Sequence, residues 1–496
     1  MSSGSGRSGF VGHAANYAVG NIVGRLVGFV MLPIYTRYLT PADYGVVGLL
    51  TFALSALEPF FGARLARAIP RFYVDTSDGR EKRAVIWGAL ILTGIVSLVT
   101  TVLLVLVRSS ASRLLFGSAQ YSVATALFAV NMLSQPIEYT GLMYVRLQGR
   151  SRLYLAVSLI KLAMQVVLNV LLVVHWNMNV VGVVLSGIIS SAVLGTFLTV
   201  YVACHEAPEF DWNVALRMLR YSWPLWFSGI AELYIWSSGA FYLRIFDSLS
   251  DVGLLQLGRK FAGVGLLVWT SFFQHWEPMS YRYYTEKDGQ RKFQVAFVAV
   301  AVLMFVVGLG VSIFSAPTIE LMAAPQFRAA APMVPLLAFC VILSSLASFF
   351  NFGFLVTDRT KIHSASQYLT VVVITIAYLA MIPSLGLLGA VVAQGFAIAF
   401  NFLVVYRWSK RYFDPGIPLS PLIALIFVMT GACILANALI EVQGIIWSLI
   451  LKAIIFFAAT AMILFIGIRA IRSSDPMVYA QIQSSVRKVS RIVLVR

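Results

Sequence analysis

Charge is scarce in this chain. Asp, Glu, Lys and Arg make up 11% of its 496 residues, hydrophobic residues make up 59%, and the mean hydropathy is +0.85. No soluble fold hides that much apolar surface in one chain, so a water-soluble globular enzyme is excluded. Acid is scarcer still: 20 Asp and Glu stand against 37 Lys and Arg, a net charge of +17. In a soluble protein that excess would suggest nucleic acid. Here most of it sits in connections such as Arg80–Lys82–Arg83 and Arg407–Lys410–Arg411, so membrane topology and anionic headgroups account for it and no nucleic-acid partner is expected. Cysteine is nearly absent. Cys204, Cys340 and Cys433 lack metal-like or redox spacing and read as packing residues, so neither a metal site nor a cofactor is expected. Long connections are missing as well. None exceeds about twenty residues, which leaves no room for an extramembrane domain of the kind a glycan polymerase or ligase uses to hold its site. No Walker motif and no cleavable signal before the first apolar segment are found.

What the chain does have is long apolar runs. Fourteen segments of membrane-spanning length are predicted at 13–36, 43–67, 84–107, 122–145, 153–174, 180–203, 221–243, 251–275, 293–315, 333–356, 365–382, 387–406, 419–439 and 446–468. The tails and every second connection hold 25 of the 37 basic residues; the seven intervening connections hold Arg37, Arg108, Arg113, Arg244 and Arg328. By the positive-inside rule both termini are cytoplasmic. The chain also repeats itself at an offset of 207 to 209. Gly149-Arg150-Ser151-Arg152-Leu153 matches Asp358-Arg359-Thr360-Lys361-Ile362, Val181-Gly182-Val183-Val184 matches Leu388-Gly389-Ala390-Val391, and Asp43-Tyr44-Gly45-Val46-Val47 resembles Asp251-Val252-Gly253-Leu254-Leu255. Six helices separate the copies, an even number, so the repeats are parallel and related by an axis along the membrane normal. The expected fold is an all-α polytopic membrane protein of 14 transmembrane helices. It comprises a tail (1–12), two pseudo-symmetric six-helix bundles (13–203 and 221–406), helices 13 and 14 (419–468) and a basic tail (469–496).

Ten charged residues lie inside these spans: Arg25, Arg64, Arg67, Lys161, Arg259, Lys260 and Lys452, with Glu58, Glu138 and Glu232. Intramembrane charge is costly and marks function by default. Eight of the ten lie in spans one, two, four, seven and eight, which predicts a hydrated cavity lined by spans one, two, seven and eight. Arg25 lies roughly 18 Å from the cytoplasmic end of its span, and Arg259 and Lys260 roughly 12 Å below the outer surface. With Arg64 nearer the cytoplasm they form a cationic ladder suited to an anion that must cross, since a guanidinium holds diphosphate oxygens bidentately. Arg25 either lines this cavity or pairs with Glu58 or Glu232. Asn21 shares its face one turn earlier. Only one of Arg259 and Lys260 is expected to face the cavity, because about 100° separates neighbours on a helix. Arg67 and Lys161 are expected to snorkel to the cytoplasmic surface and Lys452 to face headgroups. Tyr234 and Trp236 are candidate sugar contacts, whereas Trp223, Trp226, Tyr242 and Trp276 fit an interfacial belt. Glu232, mid-span, is a candidate ion-coupling acid, since desolvation there disfavours the charged form and suits proton exchange.

Several segments resemble the bacterial polysaccharide transporter family, the O-antigen and exopolysaccharide flippases of the multidrug/oligosaccharidyl-lipid/polysaccharide exporter superfamily. They are Pro33 to Gly45 (PIYTRYLTPADYG), Arg71-Phe72-Tyr73, Gly149 to Leu153, Val252 to Lys260, and Trp276-Glu277-Pro278. Gly24-Arg25-Leu26-Val27-Gly28-Phe29 is similar to the first-span motif of the related lipid II flippases, whose arginine there lines the substrate cavity. The resemblance covers about residues 13–410. It implies a non-enzymatic flippase of the bacterial inner membrane that moves an undecaprenyl-diphosphate-linked oligosaccharide outward, with a polysaccharide polymerase and chain-length machinery as candidate partners besides the bilayer. A drug exporter of the same superfamily is the alternative; there cations would call for acids, yet bases outnumber acids seven to three within the spans.

Overall fold

A computed structural model describes residues 28–57, 63–357, 359–417, 419–438 and 445–474, of which 54–56, 63, 64, 66, 67, 223–228, 360, 445, 446 and 474 are described by backbone alone. All regular structure among the described residues is helical. In chain order the α-helices are α1 (Leu32–Tyr38), α2 (Pro41–Leu57), α3 (Ala63–Asp75), α4 (Gly79–Leu106), α5 (Arg108–Phe116), α6 (Ser122–Leu147), α7 (Ser151–Asn169), α8 (Asn179–His205), α9 (Trp212–Phe246), α10 (Leu249–Ala262), α11 (Val264–Tyr284), α12 (Gly289–Met322), α13 (Val334–Val356), α14 (Thr360–Ser409), α15 (Ser420–Ala438) and α16 (Ile445–Ser474). A π-helical turn, Val170–His175, extends α7, and a 3-10 segment, Pro325–Met333, precedes α13.

Among the described residues eight helices are long and apolar enough to cross a membrane, or nine if α10 and α11, bent by 43° at Gly263, form one span. Four of the expected spans either fall outside the described residues in part or are bounded differently. Span 13–36 lies mostly outside the described residues. Span 43–67 is described as α2 and α3 on either side of residues 58–62, which lie outside the described residues, with Arg64 and Arg67 in α3. There the buried face is Leu65, Ala68 and Ile69, packed with Ala84, Val85 and Ala89 of α4, Tyr144 of α6 and Met218 of α9. Spans 365–382 and 387–406 run together as α14, broken at Gly386 (φ 53°, ψ −129°).

Two compact units emerge. The first holds the chain through Gln256 with Met322–Phe327 and Ile382–Leu387; the second holds Leu257–Leu321, Arg328–Met381 and the chain from Leu388. By this division α9 lies in the first unit, because Val214 and Met218 join the core of α3, α4 and α6.

Local signals explain how the helices begin. Asp78 caps α4 by accepting from the Arg80 N–H at 2.9 Å, and Asp211 caps α9 by accepting from Asn213 at 2.7 Å. The repeat carries its own version. Thr40 donates its hydroxyl to Asp43 Oδ2 at 2.7 Å, and the Asp43 N–H returns to Thr40 Oγ1 at 3.1 Å. Ser248 and Asp251 make the same pair of bonds, at an offset of 208 (248 − 40). Both are reciprocal caps of the Ser/Thr-x-x-acid type.

Each box is followed, two residues after its aspartate, by a glycine, and the two glycines meet. A Cβ on Gly45 would lie 2.1 Å from the Leu249 carbonyl oxygen, and one on Gly253 would lie 1.9 Å from that of Pro41. Pro41 and Leu249 are themselves repeat-related, again by 208 (249 − 41). A reciprocal contact of this kind is what a twofold axis between α2 and α10 produces. It is also why both copies keep glycine there: any side chain would drive the helix backbones apart.

Three side chains depart from expectation. Lys161, half-buried, is turned to an acid: its Nζ lies 2.7 Å from Oε2 of Glu138, a residue 3% exposed. A carboxylate buried on α6 needs a cation, and α7 supplies it. Lys452 is 5% exposed, with Glu320 as its charged neighbour, instead of facing headgroups. Trp276, read as an interfacial residue, is buried and stacks on Phe272 and Phe349, with Phe293 edge-on. Its indole is core because α11 lies against α13, whose aromatic face closes over it.

Candidate functional site

In the second unit the site is built around Arg259. α10 starts at the Ser248–Asp251 box and carries Arg259 two turns later, on the face turned toward α13 and α14. Its Nη2 donates to Oε1 of Gln394 at 2.9 Å, and Cys340 and Tyr378 are its other polar neighbours. Among the described residues no carboxylate pairs with it. Its Nε is buried and has no hydrogen-bond partner, and neither does Nε2 of Gln394, a residue 1% exposed. Arg259 is half-buried, with Nε enclosed; a guanidinium partly withdrawn from water, with only neutral partners among the described residues, is a poorly compensated positive charge, and two idle donors add to the cost. An anionic oxygen would answer both deficits.

Gln394 was missed by the sequence reading. The available signal was one amide in the apolar run Leu387 to Phe400, which reads as an ordinary tolerated polar residue until its partner is seen. Lys260, next along α10, is half-buried and about 100° around the helix from Arg259.

In the first unit, α9 carries the other candidates. Tyr234 is half-buried, with its hydroxyl 2.9 Å from that of Tyr242, two turns on. Tyr242, assigned from sequence to an interfacial belt, is thus tied to the candidate sugar contact, because residues eight apart share a helix face. Trp236 is half-buried. Glu232, the candidate ion-coupling acid, is exposed on α9. Asn21, Arg25 and Glu58 lie outside the described residues, and Arg64 is described by backbone alone, in the first turn of α3. The structure thus joins Arg259 to Gln394 and Tyr234 to Tyr242; the other two members of the expected ladder, Arg25 and Arg64, lie outside the described side chains.

A basic site with no carboxylate among the described residues, built on apolar helices, can be set beside known proteins. Residues 13–284, more than half of the chain, match the family model described as polysaccharide biosynthesis protein. The chain belongs to that family. Among solved structures it is similar to a lipid II flippase MurJ in an inward closed conformation, with a TM-score of 0.73 at 12% identity, covering 92% of this chain and 99% of that one. It is also similar to an inward-facing multidrug resistance MATE family transporter of the MOP superfamily, with a TM-score of 0.60 at 15% identity, covering 78% and 94%. At these identities the likeness establishes the fold, which is that of membrane transporters and flippases. No curated protein matches the sequence. The expected family and the all-helical polytopic fold are thereby borne out.

Proposed function

We propose that this chain is a flippase that moves an undecaprenyl-diphosphate-linked oligosaccharide repeat unit across the bacterial inner membrane for O-antigen or exopolysaccharide export. The observation that carries the reading is the half-buried Arg259–Gln394 pair, which presents positive charge and idle donors with no carboxylate among the described residues to neutralise them. A diphosphate is the chemical complement of such a group. An exporter of organic cations would need the opposite charge at this place. Arg25 and Arg64 would complete a path for the diphosphate, Lys260 would add charge on the adjoining face, and Asn21, Tyr234 and Trp236 would contact substrate. Both termini face the cytoplasm, the two repeats act as six-helix bundles, and no bond is made or broken. A polymerase and chain-length machinery would receive the product. Cells lacking the chain should accumulate lipid-linked oligosaccharide that an impermeant glycosidase cannot reach from outside, while total lipid carrier is unchanged. An unchanged lipid-linked pool with unchanged surface polysaccharide would refute the assignment.

Ion coupling is a separate part of the proposal. Glu232, near the middle of its apolar span on α9, remains the candidate carrier. Glu232→Gln should keep substrate binding and lose gradient-driven transport in proteoliposomes. Full response of that variant to an imposed pH gradient would remove Glu232 from the coupling step, and transport that follows sodium alone would change the ion.

A further inference from the structure

We propose that α5 and the end of α4 form a docking surface for an anionic phospholipid, with Arg108 and Arg113 holding the headgroup phosphate and Leu106 and Leu114 lying against the acyl chains. α5 is a nine-residue helix that joins α4 to α6. Its inward face is Ser112 and Phe116, both buried and one turn apart. Its outward face is Ser110, Arg113 and Leu114, all exposed.

The helix is tied down in this pose. Ser112 Oγ donates to the Ser118 carbonyl at 2.7 Å, and the Phe116 ring meets Tyr121 edge-on at 5.3 Å. Arg244 of α9 donates its Nε to the Leu115 carbonyl at 2.8 Å, the kind of cationic cap that a helix C-terminus favours. Gly117 closes the helix in the left-handed region, at φ 75°. A connection fastened at this many points is not a slack loop, so its outward side chains keep a fixed place.

Depth can be read from α4, one of the helices long and apolar enough to cross a membrane. Ile91, Ile95, Val99, Val102 and Leu106 form an exposed apolar stripe on successive turns, and Leu106 is 76% exposed. On a membrane-crossing helix such a stripe meets hydrocarbon. It covers roughly 22 Å of a hydrocarbon core about 30 Å thick. The stripe ends at Leu106 and Val107, and Arg108 is the next residue, at the level where hydrocarbon gives way to headgroups. Leu114 on α5 and Val123 at the start of α6 are 65% and 58% exposed, so exposed apolar side chains flank both arginines along the chain.

Charge sets the sign of the occupant. Arg108 and Arg113 are exposed, and neither makes an ion pair among the described residues. No Asp or Glu occurs in the sequence between Glu81 and Glu138. Basic residues in an external connection oppose the positive-inside bias, so two of them on one short helix call for a reason other than topology. A lipid phosphate supplies it, because a guanidinium holds phosphate oxygens bidentately. The acyl chains of the same molecule cover the apolar stripe beside it, which a soluble anion would leave bare. With both termini cytoplasmic, as proposed above, this lipid belongs to the outer leaflet; the surface depends on that reading for its leaflet alone.

The test uses the full chain with Cys204, Cys340 and Cys433 replaced and a fluorophore on Leu114→Cys. The chain is reconstituted in phosphatidylcholine vesicles that carry a small fraction of lipid with a nitroxide on its upper acyl chain, either phosphatidylglycerol or phosphatidylcholine. Quenching by the anionic probe should exceed that by the zwitterionic one, with an enrichment of about fivefold for each guanidinium engaged, and the excess should shrink as salt rises. Arg108→Gln and Arg113→Gln should each lose about that factor, and the double variant should be quenched equally by the two probes. Arg113→Lys should keep most of the preference, since its charge remains. Both arginines are exposed, so every variant should melt as the parent does. Equal quenching of the parent by the two probes, or a preference that survives in the double variant, would overturn the docking surface. So would displacement of the anionic probe by an equal trace of undecaprenyl diphosphate, which would give the surface to the transported lipid instead. Transport is not the readout, so each outcome leaves the flippase reading to its own assay.

Discussion

Arg259→Ala should abolish polysaccharide export while leaving the protein folded and abundant. The guanidinium has no ion-pair partner among the described residues, so its removal breaks no described salt bridge; it removes a partly buried charge whose cost the fold now bears. Arg259→Met should therefore raise thermal stability while export falls, the pattern of a residue kept for function at the expense of stability. If its charged hydrogen bonds to substrate contribute about 1.5–3 kcal/mol each, losing one or two lowers transport by about ten- to ten-thousand-fold. Arg259→Lys should recover part of this, since the charge returns without the planar fork. Gln394→Leu should show the smaller loss of a positioning residue, and a double-mutant cycle with Arg259→Ala should be non-additive because the two share one hydrogen bond. Normal export by Arg259→Ala would remove the residue from the mechanism, and loss of abundance would make it structural. The same comparison applies to Arg25→Ala, where loss of abundance would favour an ion pair over a cavity role.

The second large effect is expected at the glycine crossing. Gly253→Val would place a Cβ 1.9 Å from the Pro41 carbonyl oxygen, with backbone on both sides and no flexible side chain to yield. Overpacking of this kind costs about 1–3 kcal/mol, and more where backbone must move. Gly45→Val should do the same, because its Cβ would lie 2.1 Å from the Leu249 carbonyl. The reciprocity is itself testable: the two variants should lower the melting temperature by similar amounts, and the double variant by less than the sum, since both open one crossing. Unchanged melting of either single variant would show that the two helices do not approach so closely. Strongly unequal effects would argue against the twofold relation.

How much of this was legible beforehand depends on what each residue's signal rests on. The helical spans were legible because a bilayer demands long apolar runs, and α4, α8, α12 and α13 fall close to where hydropathy put them. The repeat was legible as a faint match around Asp43 and Asp251, but its reason was not. The capping boxes involve Thr40 and Ser248, just outside the matched segments, and the crossing needs the partner's carbonyl oxygen to be seen. Between α2 and α3 the sequence carries Pro59 and Gly62, breaker residues to which a reading by hydropathy alone gives no weight. Lys161 was taken for a snorkelling residue since its partner, Glu138, lies 23 positions away on another helix. Gln394 was invisible for a related cause: a lone amide in an apolar helix acquires meaning only from what it faces. Arg259 was legible from cost alone, because a cation deep in an apolar span has few structural excuses.

The central claim is that the chain carries a diphosphate-linked glycan lipid from one leaflet to the other. The most direct measurement reconstitutes the purified protein into liposomes holding a fluorescent undecaprenyl-diphosphate oligosaccharide and follows its access to an external glycosidase. In liposomes without protein about half the lipid should be cleaved, since a symmetric bilayer exposes one leaflet and spontaneous exchange of a charged headgroup is slow. With the protein, cleavage should run toward completion, and Arg259→Ala should return it to the protein-free level. Cleavage that stops at the protein-free level in the parent, or that completes equally well with Arg259→Ala, would contradict the account.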